Sequence, residues 1–324
     1  MTIPNWPLPT FAVVIEWDNA RQAELARAHA MLRTLRRQLE DVRRRVPAPP
    51  QVLLLYDRND VPATVIERSL DEHFGPPGEC CELRVEPVDG LKYYELKNAG
   101  AKRTTGEIIV FLDSDTIPEP EWLQSILESF SEPDCAVVTG QTYMSPHSVY
   151  SRAFSLFWFF GLRSDRTDLA VEQGIYANNV AYRREIFERY PFPSGGLYRG
   201  QCVRQTDALR RDGIRIYRQY RAAVSHPPPV GVLGFIVRAL WEGHDEVILK
   251  RRERPVTLRG VFWIYRHVLA RTFRRVVRDY RRAGLGPAGA TFAFALGSVY
   301  CTIKYIGSAV TVTRPSLLER WLPA

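Results

Sequence analysis

Five consecutive apolar residues, Ile108-Ile109-Val110-Phe111-Leu112, three of them β-branched, run straight into Asp113-Ser114-Asp115. Such a run reads as a strand covered on both faces, which places the chain among folds that pack helices on either side of a sheet. The two acids then fall at the strand's carboxyl end, where open α/β sheets hold their ligands. Residues two apart point to the same side of a strand, so Asp113 and Asp115 can converge. Carboxylates that close raise one another's pKa unless a cation lies between them. A hard ion such as Mg²⁺ takes one or two carboxylates together with substrate phosphates. The alternative is a plain strand-to-helix turn, with Asp115 capping a helix that begins near Pro118 or Pro120. In both readings the acids stand at a strand end, outside the core, so replacing either is expected to leave the fold largely intact.

At 324 residues the chain can hold one large α/β domain, or one domain with an appendage. Its charge is divided unevenly: residues 1–230 carry 28 Lys+Arg against 30 Asp+Glu, and residues 231–324 carry 16 against 6. A near-neutral body with a strongly basic tail suggests a tail that seeks an anionic surface. The five cysteines (Cys80, Cys81, Cys135, Cys202, Cys301) are odd in number and lack Cys-x-x-Cys spacing. Neither a disulfide framework nor a zinc site is expected, and a reducing compartment is. Met1 to Thr10 has no basic residue and no apolar core of signal length, so nothing there is expected to direct secretion.

Taken in order, Phe11 to Ile15 reads as a short buried strand, followed by Glu16-Trp17-Asp18-Asn19, which can cap a helix. Leu25, Ala28, Leu32, Leu35, Leu39, Val42 and Val46 recur every three or four residues as one helical stripe. A coiled coil fits that spacing as well, but Pro47-Ala48-Pro49-Pro50 ends it and the strand Gln51 to Asp57 follows at once, favouring packing against the sheet. Pro62 to Phe74 reads as a return helix, Cys81 to Val85 as a weaker strand and Cys135 to Thr139 as another. Strands alternating with helical stretches predict a parallel, doubly wound sheet.

Beyond Gly140 the alternation loosens. Phe154-Ser155-Leu156-Phe157-Trp158-Phe159-Phe160 reads as core, with a lipid-facing platform as the alternative. Ile175 to Arg184 reads as a strand leading into a helix over Glu185 to Tyr190, Gly200 to Gly213 as a second helix and Ile214 to Tyr217 as the strand after it. His226 stands just before Pro227-Pro228-Pro229.

These pieces, in this order, resemble the family 2 glycosyltransferases. The likeness rests on Lys97-Asn98-Ala99-Gly100-Ala101, on Glu107 to Asp115, on Pro120-Glu121-Trp122-Leu123, on Asn178 to Arg184, on Leu209 to Ile214 and on His226, and covers about residues 11–226. It implies a GT-A fold, an α/β architecture with a mostly parallel central sheet flanked by helices, acting on a nucleotide-sugar donor with a divalent metal, Mg²⁺ or Mn²⁺, and inversion at the anomeric carbon. Residues 1–230 would form the catalytic domain, with a nucleotide-sugar half to about 140 and an acceptor half over 141–230. By the same resemblance Asp57 would bind the donor base, Glu16 and Asn19 would line its pocket, and Lys97 would lie near the diphosphate. Asp113 and Asp115 would serve the metal and the donor ribose, and His226 would complete the metal or diphosphate site. Each has a plainer role open to it: Asp57 as a turn cap, Lys97 as a surface lysine, His226 as no ligand at all.

The acceptor hydroxyl must lose a proton as it attacks, so a carboxylate within reach is expected. Where the family places this acid the chain reads Gly200-Gln201-Cys202-Val203. Gln201 is therefore expected to position the acceptor, and Asp168 or Glu172 to take the proton, with Asp165 a further candidate and Asp207 too far round its helix. Two other functions fit parts of the pattern. A phosphatase would use Asp113 as nucleophile and Asp115 as acid, but Ile117 stands where a small hydroxylated residue is expected. A catalytically silent sugar-nucleotide-binding scaffold would explain Gln201-Cys202.

In the extension, residues 231–324, Phe262, Tyr265, Leu269, Phe273, Val276 and Tyr280 share a helical face while Arg266, Arg274, Arg275, Arg278, Arg281 and Arg282 crowd the rest. A basic amphipathic helix suits an anionic membrane surface, and no nucleic-acid-binding motif accompanies it. Ala288 to Val312 is apolar and long enough to span a bilayer, but Lys304 interrupts it, which favours an interfacial or protein-packed hairpin. The expected setting is the cytoplasmic face of the cell membrane, with a glycan or lipid-linked acceptor.

Overall fold

The computed structural model describes residues 7–321 apart from 77, 79, 196, 253 and 254, so the first six residues of the N-terminal stretch lie outside it. The chain divides into two compact units. The first takes residues up to 142, 164–194 and 205–226; the second takes 143–163, 195–204 and 227 onward.

The first unit is built on a nine-stranded mixed sheet. Its opening half follows the β–α alternation of the sequence: β1 (Phe11–Glu16), α1 (Asp18–Gln22), α2 (Leu25–Arg43), β2 (Gln51–Asp57), α3 (Ala63–His73), β3 (Glu82–Val88), α4 (Tyr93–Arg103) and β4 (Ile108–Asp113). The four strands lie in the order β3-β2-β1-β4, all parallel. β1 and β4 are buried along their whole length, which is why their sequences are continuous apolar runs. Of the stripe on α2, Ala28, Leu32, Leu35, Leu39 and Val42 are fully buried in the core against the sheet, as expected for a helix that packs inward, while Leu25 at its start is exposed.

The parallel pattern stops at β4. The elements that follow are β5 (Ile117–Pro118), α5 (Trp122–Glu128), β6 (Val137–Met144), α6 (Val149–Ser155), β7 (Leu169–Glu172), β8 (Asn179–Arg183), α7 (Arg184–Arg189), α8 (Gln201–Arg211) and β9 (Ile216–His226). β8 runs antiparallel to β4 and β6, and β9 antiparallel to β5 and β7. α4 is the last helix that carries the chain between two parallel strands. Asn179 ties this half together at a buried point: its Oδ1 accepts Trp122 Nε1 at 2.8 Å and its Nδ2 donates to the Ala222 carbonyl at 3.0 Å. A Cβ on Gly140 would stand 2.1 Å from that carbonyl oxygen, so the strand must carry glycine there.

The second unit is helical: α11 (Pro287–Thr313) packs against α6, α9 (Gly231–Lys250), α10 (Leu258–Asp279) and α12 (Pro315–Trp321). The aromatic run is core, with Phe154, Trp158 and Phe160 buried and only Phe159 among the exposed residues of the run. α9 and α11 approach closely at two glycines. A Cβ on Gly243 would meet the Lys304 carbonyl oxygen at 2.1 Å, and one on Gly307 the Leu240 carbonyl oxygen at 2.3 Å. Lys304, the charge inside the apolar stretch, lies 3.2 Å from Glu246 on α9, whose other oxygen takes Lys250 at 2.7 Å. On α10 the protein uses Val261, Thr272 and Val276 as its buried residues, while Phe262 and Phe273 of the apolar face seen in the sequence are about half exposed.

Candidate active site

The register of the parallel strands puts Glu16 at the end of β1 directly beside Asp113 at the end of β4. Two acids at adjacent strand ends, 0% and 2% exposed, require donors, and the chain supplies them from two helices. Asn19, in the first turn of α1, bridges the pair: its Nδ2 donates to Glu16 Oε1 at 2.9 Å and to Asp113 Oδ2 at 2.7 Å. Lys97 and Tyr93, four residues apart and hence on one face of α4, supply the rest. The Lys97 ammonium donates to Asp113 Oδ1 at 2.6 Å with no side-chain exposure at all, and the Tyr93 hydroxyl lies 2.8 and 2.9 Å from the two oxygens.

This geometry corrects one expectation. Asp113 is not an outlying strand-end acid but half of a buried ion pair, so its removal strands the Lys97 charge in the core. Lys97 is the cation at its side, and both of its oxygens accept hydrogen bonds from neighbouring side chains. The same engagement makes Asp113 a poor phosphatase nucleophile.

Asp115, also buried, meets a different neighbour. Its Oδ2 lies 3.7 Å from His226 Nε2, at the carboxyl end of β9. That is too long for a hydrogen bond, and within the span of two donors on one ion with ligand distances of about 2.0–2.2 Å. Arg27, buried on the inward face of α2, holds these two strand ends together. Its Nε donates to the Asp115 carbonyl at 2.9 Å and its Nη2 to the Ser225 carbonyl at 2.8 Å. The sequence reading missed Arg27 and Tyr93. Spacing could have found Tyr93, which lies four residues before Lys97, whereas nothing local marked Arg27.

Asp57 organises a turn. Its two oxygens accept the backbone N–H of Asn59 at 2.9 Å and of Gly90 at 2.8 Å, the latter a residue with φ of +67°. Asp168 is exposed and chelated by Arg166 through bonds of 2.9 and 2.6 Å, and this hydrogen bonding holds its carboxyl below the ordinary aspartate range. Such a carboxylate is a weak proton acceptor. Glu172 pairs with Arg218 at 3.1 Å. Gln201 belongs to the second unit, where its Nε2 donates to the Leu197 carbonyl at 2.8 Å and its Oε1 is buried without a hydrogen bond. Beside it, both oxygens of Asp245 hold the backbone N–H groups of Tyr198 and Arg199, at 2.9 and 2.7 Å.

Residues 91–191, which contain Lys97, Asp113 and Asp115, match the family model described as glycosyl transferase family 2. The chain carries a family 2 glycosyltransferase domain. This domain has two curated relatives in the archaeon Haloferax volcanii. One is a glucosyl-dolichyl phosphate glucuronosyltransferase, 23% identical over 179 residues that make up 49% of this chain and 56% of that protein. The other is glycosyltransferase AglE, 25% identical over 223 residues, 64% of this chain and 69% of that protein. The chain thus spans little more than half of the first relative. Among solved structures, the mannosyltransferase PcManGT from Pyrobaculum calidifontis, in complex with GDP-Man and Mn²⁺, superposes with a TM-score of 0.59 at 14% identity, covering 97% of this chain and 90% of that one. At that identity the likeness is one of fold, and the fold of the family 2 domain and its surroundings is GT-A.

Proposed function

We propose that the protein transfers a sugar from a nucleoside-diphosphate donor to an acceptor hydroxyl, with inversion at the anomeric carbon. The observation that carries this reading is the meeting of Asp115 and His226 at 3.7 Å, beside an Asp113 whose charge Lys97 already balances. An imidazole with a carboxylate suits Mn²⁺ better than Mg²⁺, which prefers oxygen ligands throughout. Asp115 and His226 would hold such an ion. Among the described residues no set of three or more His, Cys, Asp or Glu is gathered for a metal, so the donor's diphosphate would supply further ligands. When bound, the ion stabilises the charge that develops on the departing diphosphate.

The remaining residues bind and orient. Glu16 and Asn19 line the donor pocket with Asp113 facing the ribose, Lys97 fixes Asp113, and Asp57 shapes the turn beside the base. Of the two acids offered as proton acceptor, Glu172 is preferred, because Asp168 is held ionised by Arg166. Gln201, neutral at every pH, positions the acceptor. A relative that acts on a glucosyl-dolichyl phosphate supports a lipid-linked acceptor, and the basic, apolar helices of the second unit support attachment to the cytoplasmic face of a membrane. α11 is long and apolar enough to cross a bilayer, with a third of its most apolar window buried in the protein.

The test is a panel of nucleoside-diphosphate sugars assayed for release of the nucleoside diphosphate with Mn²⁺, with Mg²⁺ and with EDTA. Mn²⁺-dependent release that Asp115→Asn and His226→Ala each abolish is expected. Donor binding without turnover across a broad set of acceptors would establish the silent scaffold instead, and release unaffected by EDTA would refute the metal site.

A further inference from the structure

Two buried side-chain amides stand at the ligand end of the sheet without a role in the transfer described above. β8 runs antiparallel to β4, and β6 antiparallel to β8, so the start of β8 and the later half of β6 lie at the same sheet end as Asp113 and Asp115. Asn178, just before β8, is 4% exposed, and its carbonyl accepts the Asp113 N–H at 3.3 Å. Its side chain is held from β6, where the Thr142 hydroxyl donates to Oδ1 at 3.1 Å. Among the described residues nothing accepts a hydrogen bond from its Nδ2. Gln141, next to Thr142 and 6% exposed, has the complementary deficit: its Oε1 is buried and no described residue donates to it. The Gln141 backbone carbonyl accepts Asn179 Nδ2 at 3.3 Å, which ties this part of β6 to the start of β8.

A polar atom buried without a partner is costly, and folded chains keep few of them. Here an unmatched donor and an unmatched acceptor occupy neighbouring strand ends, at the edge where open α/β sheets take their ligands. The strand order β2-β1-β4-β8-β6 sets out Asp57, Glu16, Asp113, Asn178 and Gln141 along that edge in turn. A nucleotide sugar laid across it with its base toward Asp57 and its ribose by Asp113 reaches β8 and β6 with the group beyond its diphosphate. Building on the proposed transferase activity, we propose that Asn178 and Gln141 bind hydroxyl groups of the transferred sugar, with Asn178 Nδ2 donating to a hydroxyl oxygen and Gln141 Oε1 accepting from a hydroxyl. A hydroxyl both donates and accepts and brings no charge to be neutralised. An ionised phosphate has no proton for Gln141, and neither amide offers it a cation. The two residues therefore select a donor whose sugar keeps its hydroxyls free there, and reject one that is deoxygenated at that position, since it leaves a buried amide unpaired.

The test uses the full-length chain, the nucleoside-diphosphate sugar that the donor panel shows to be turned over, the monodeoxy analogues of that donor, and the nucleoside diphosphate alone as an inhibitor. Asn178→Ala and Gln141→Leu should each lower kcat/KM for the complete donor about tenfold or more, while the inhibition constant of the nucleoside diphosphate stays within about twofold. The wild type should lose a comparable factor on one monodeoxy analogue, and one of the variants should lose nothing further on that analogue, because losses that break the same bond do not add. A side chain that serves the fold alone lowers activity by one factor across every analogue, and that outcome overturns the proposal. So does an equal loss of affinity for the nucleoside diphosphate, or undiminished kcat/KM in the folded variants. Thermal melts check that each variant is folded, and either one folded suffices, since the two stand on different strands. A panel in which no donor is turned over overturns both the transferase activity and this assignment; an active donor with losses that simply add overturns the assignment alone.

Discussion

Replacing Lys97 with methionine separates a buried ion pair from a merely close one. Methionine keeps much of the stem's volume and removes only the ammonium, leaving Asp113, at 4% side-chain exposure, with Tyr93 and Asn19 as donors. Breaking a buried pair by deleting one partner costs about 3–5 kcal/mol. The two remaining donors place the loss near the lower end, about 3 kcal/mol. The converse change, Asp113→Ala, removes the carboxylate from a fully buried ammonium whose other neighbours are the faces of Tyr93 and Phe111, at 4.8 and 5.6 Å. It should reach the upper end. The double variant Lys97→Met/Asp113→Ala leaves neither charge of the pair unmatched and should cost about 2–3 kcal/mol less than the two single losses added together. Urea unfolding of all four proteins, followed by tryptophan fluorescence at unchanged slope, measures this. Single losses below about 1 kcal/mol, or losses that simply add in the double variant, would refute the ion pair as an element of the fold.

Three further outcomes follow from other parts of the structure. Gly243→Ala and Gly307→Ala each drive a methyl into backbone carbonyl oxygen at 2.1 and 2.3 Å, and each should lower stability by about 2–3 kcal/mol in the same assay. Burial pushes the Asp245 carboxyl up to about 6, against the opposing pull of the Arg199 and Tyr198 N–H groups. Since that lies above the unfolded value of about 3.9, the folded state holds this proton more tightly. The group's contribution to stability is therefore complete below about pH 4 and lost as pH rises through 6. A two-unit difference is worth about 3 kcal/mol, and Asp245→Asn should flatten the stability profile over that window by a comparable amount. Arg27→Met should raise the Mn²⁺ concentration needed for half-maximal transfer severalfold, because it unties the ends of β4 and β9; an unchanged metal requirement would show that Arg27 serves the fold alone.

How far the residues foretold the structure depended on whether burial was two-sided. β1, β2 and β4 were legible because a strand covered on both faces has no choice but a continuous apolar run. The antiparallel half was less so: β7 is short and half exposed, and nothing local in Leu169-Ala170-Val171-Glu172 says which strand it will join. In the site, Asp113, Asp115, Lys97 and His226 were all visible, but the buried pairing of Asp113 with Lys97 was not, because it depends on Lys97 and Tyr93 arriving together from α4. Arg27 was hidden for a different reason: an arginine in a helix is ordinarily solvated, and only the placement of α2 turns it toward two carbonyls. On α10 the apolar face was read correctly as a stripe, yet the protein turns part of it outward, and amphipathicity alone does not say what a helix's apolar side will meet.

The pairing of Glu246 with two lysines bears on how the chain is made. Glu246 leaves the ribosome roughly sixty residues before Lys304, a delay of about 3 to 12 seconds at ordinary rates of synthesis. During that interval Lys250, one helical turn away on the same helix, is already present to neutralise it. α9 can therefore form without an unmatched charge and wait for its partner. α11 has no such provision, because among the described residues the carboxylate paired with its lysine lies on α9. Released early to a membrane, α11 would carry a bare cation into the lipid; held until it meets α9, it enters the assembly neutralised. The order of synthesis thus decides which of these two helices waits, and the waiting one is equipped for it.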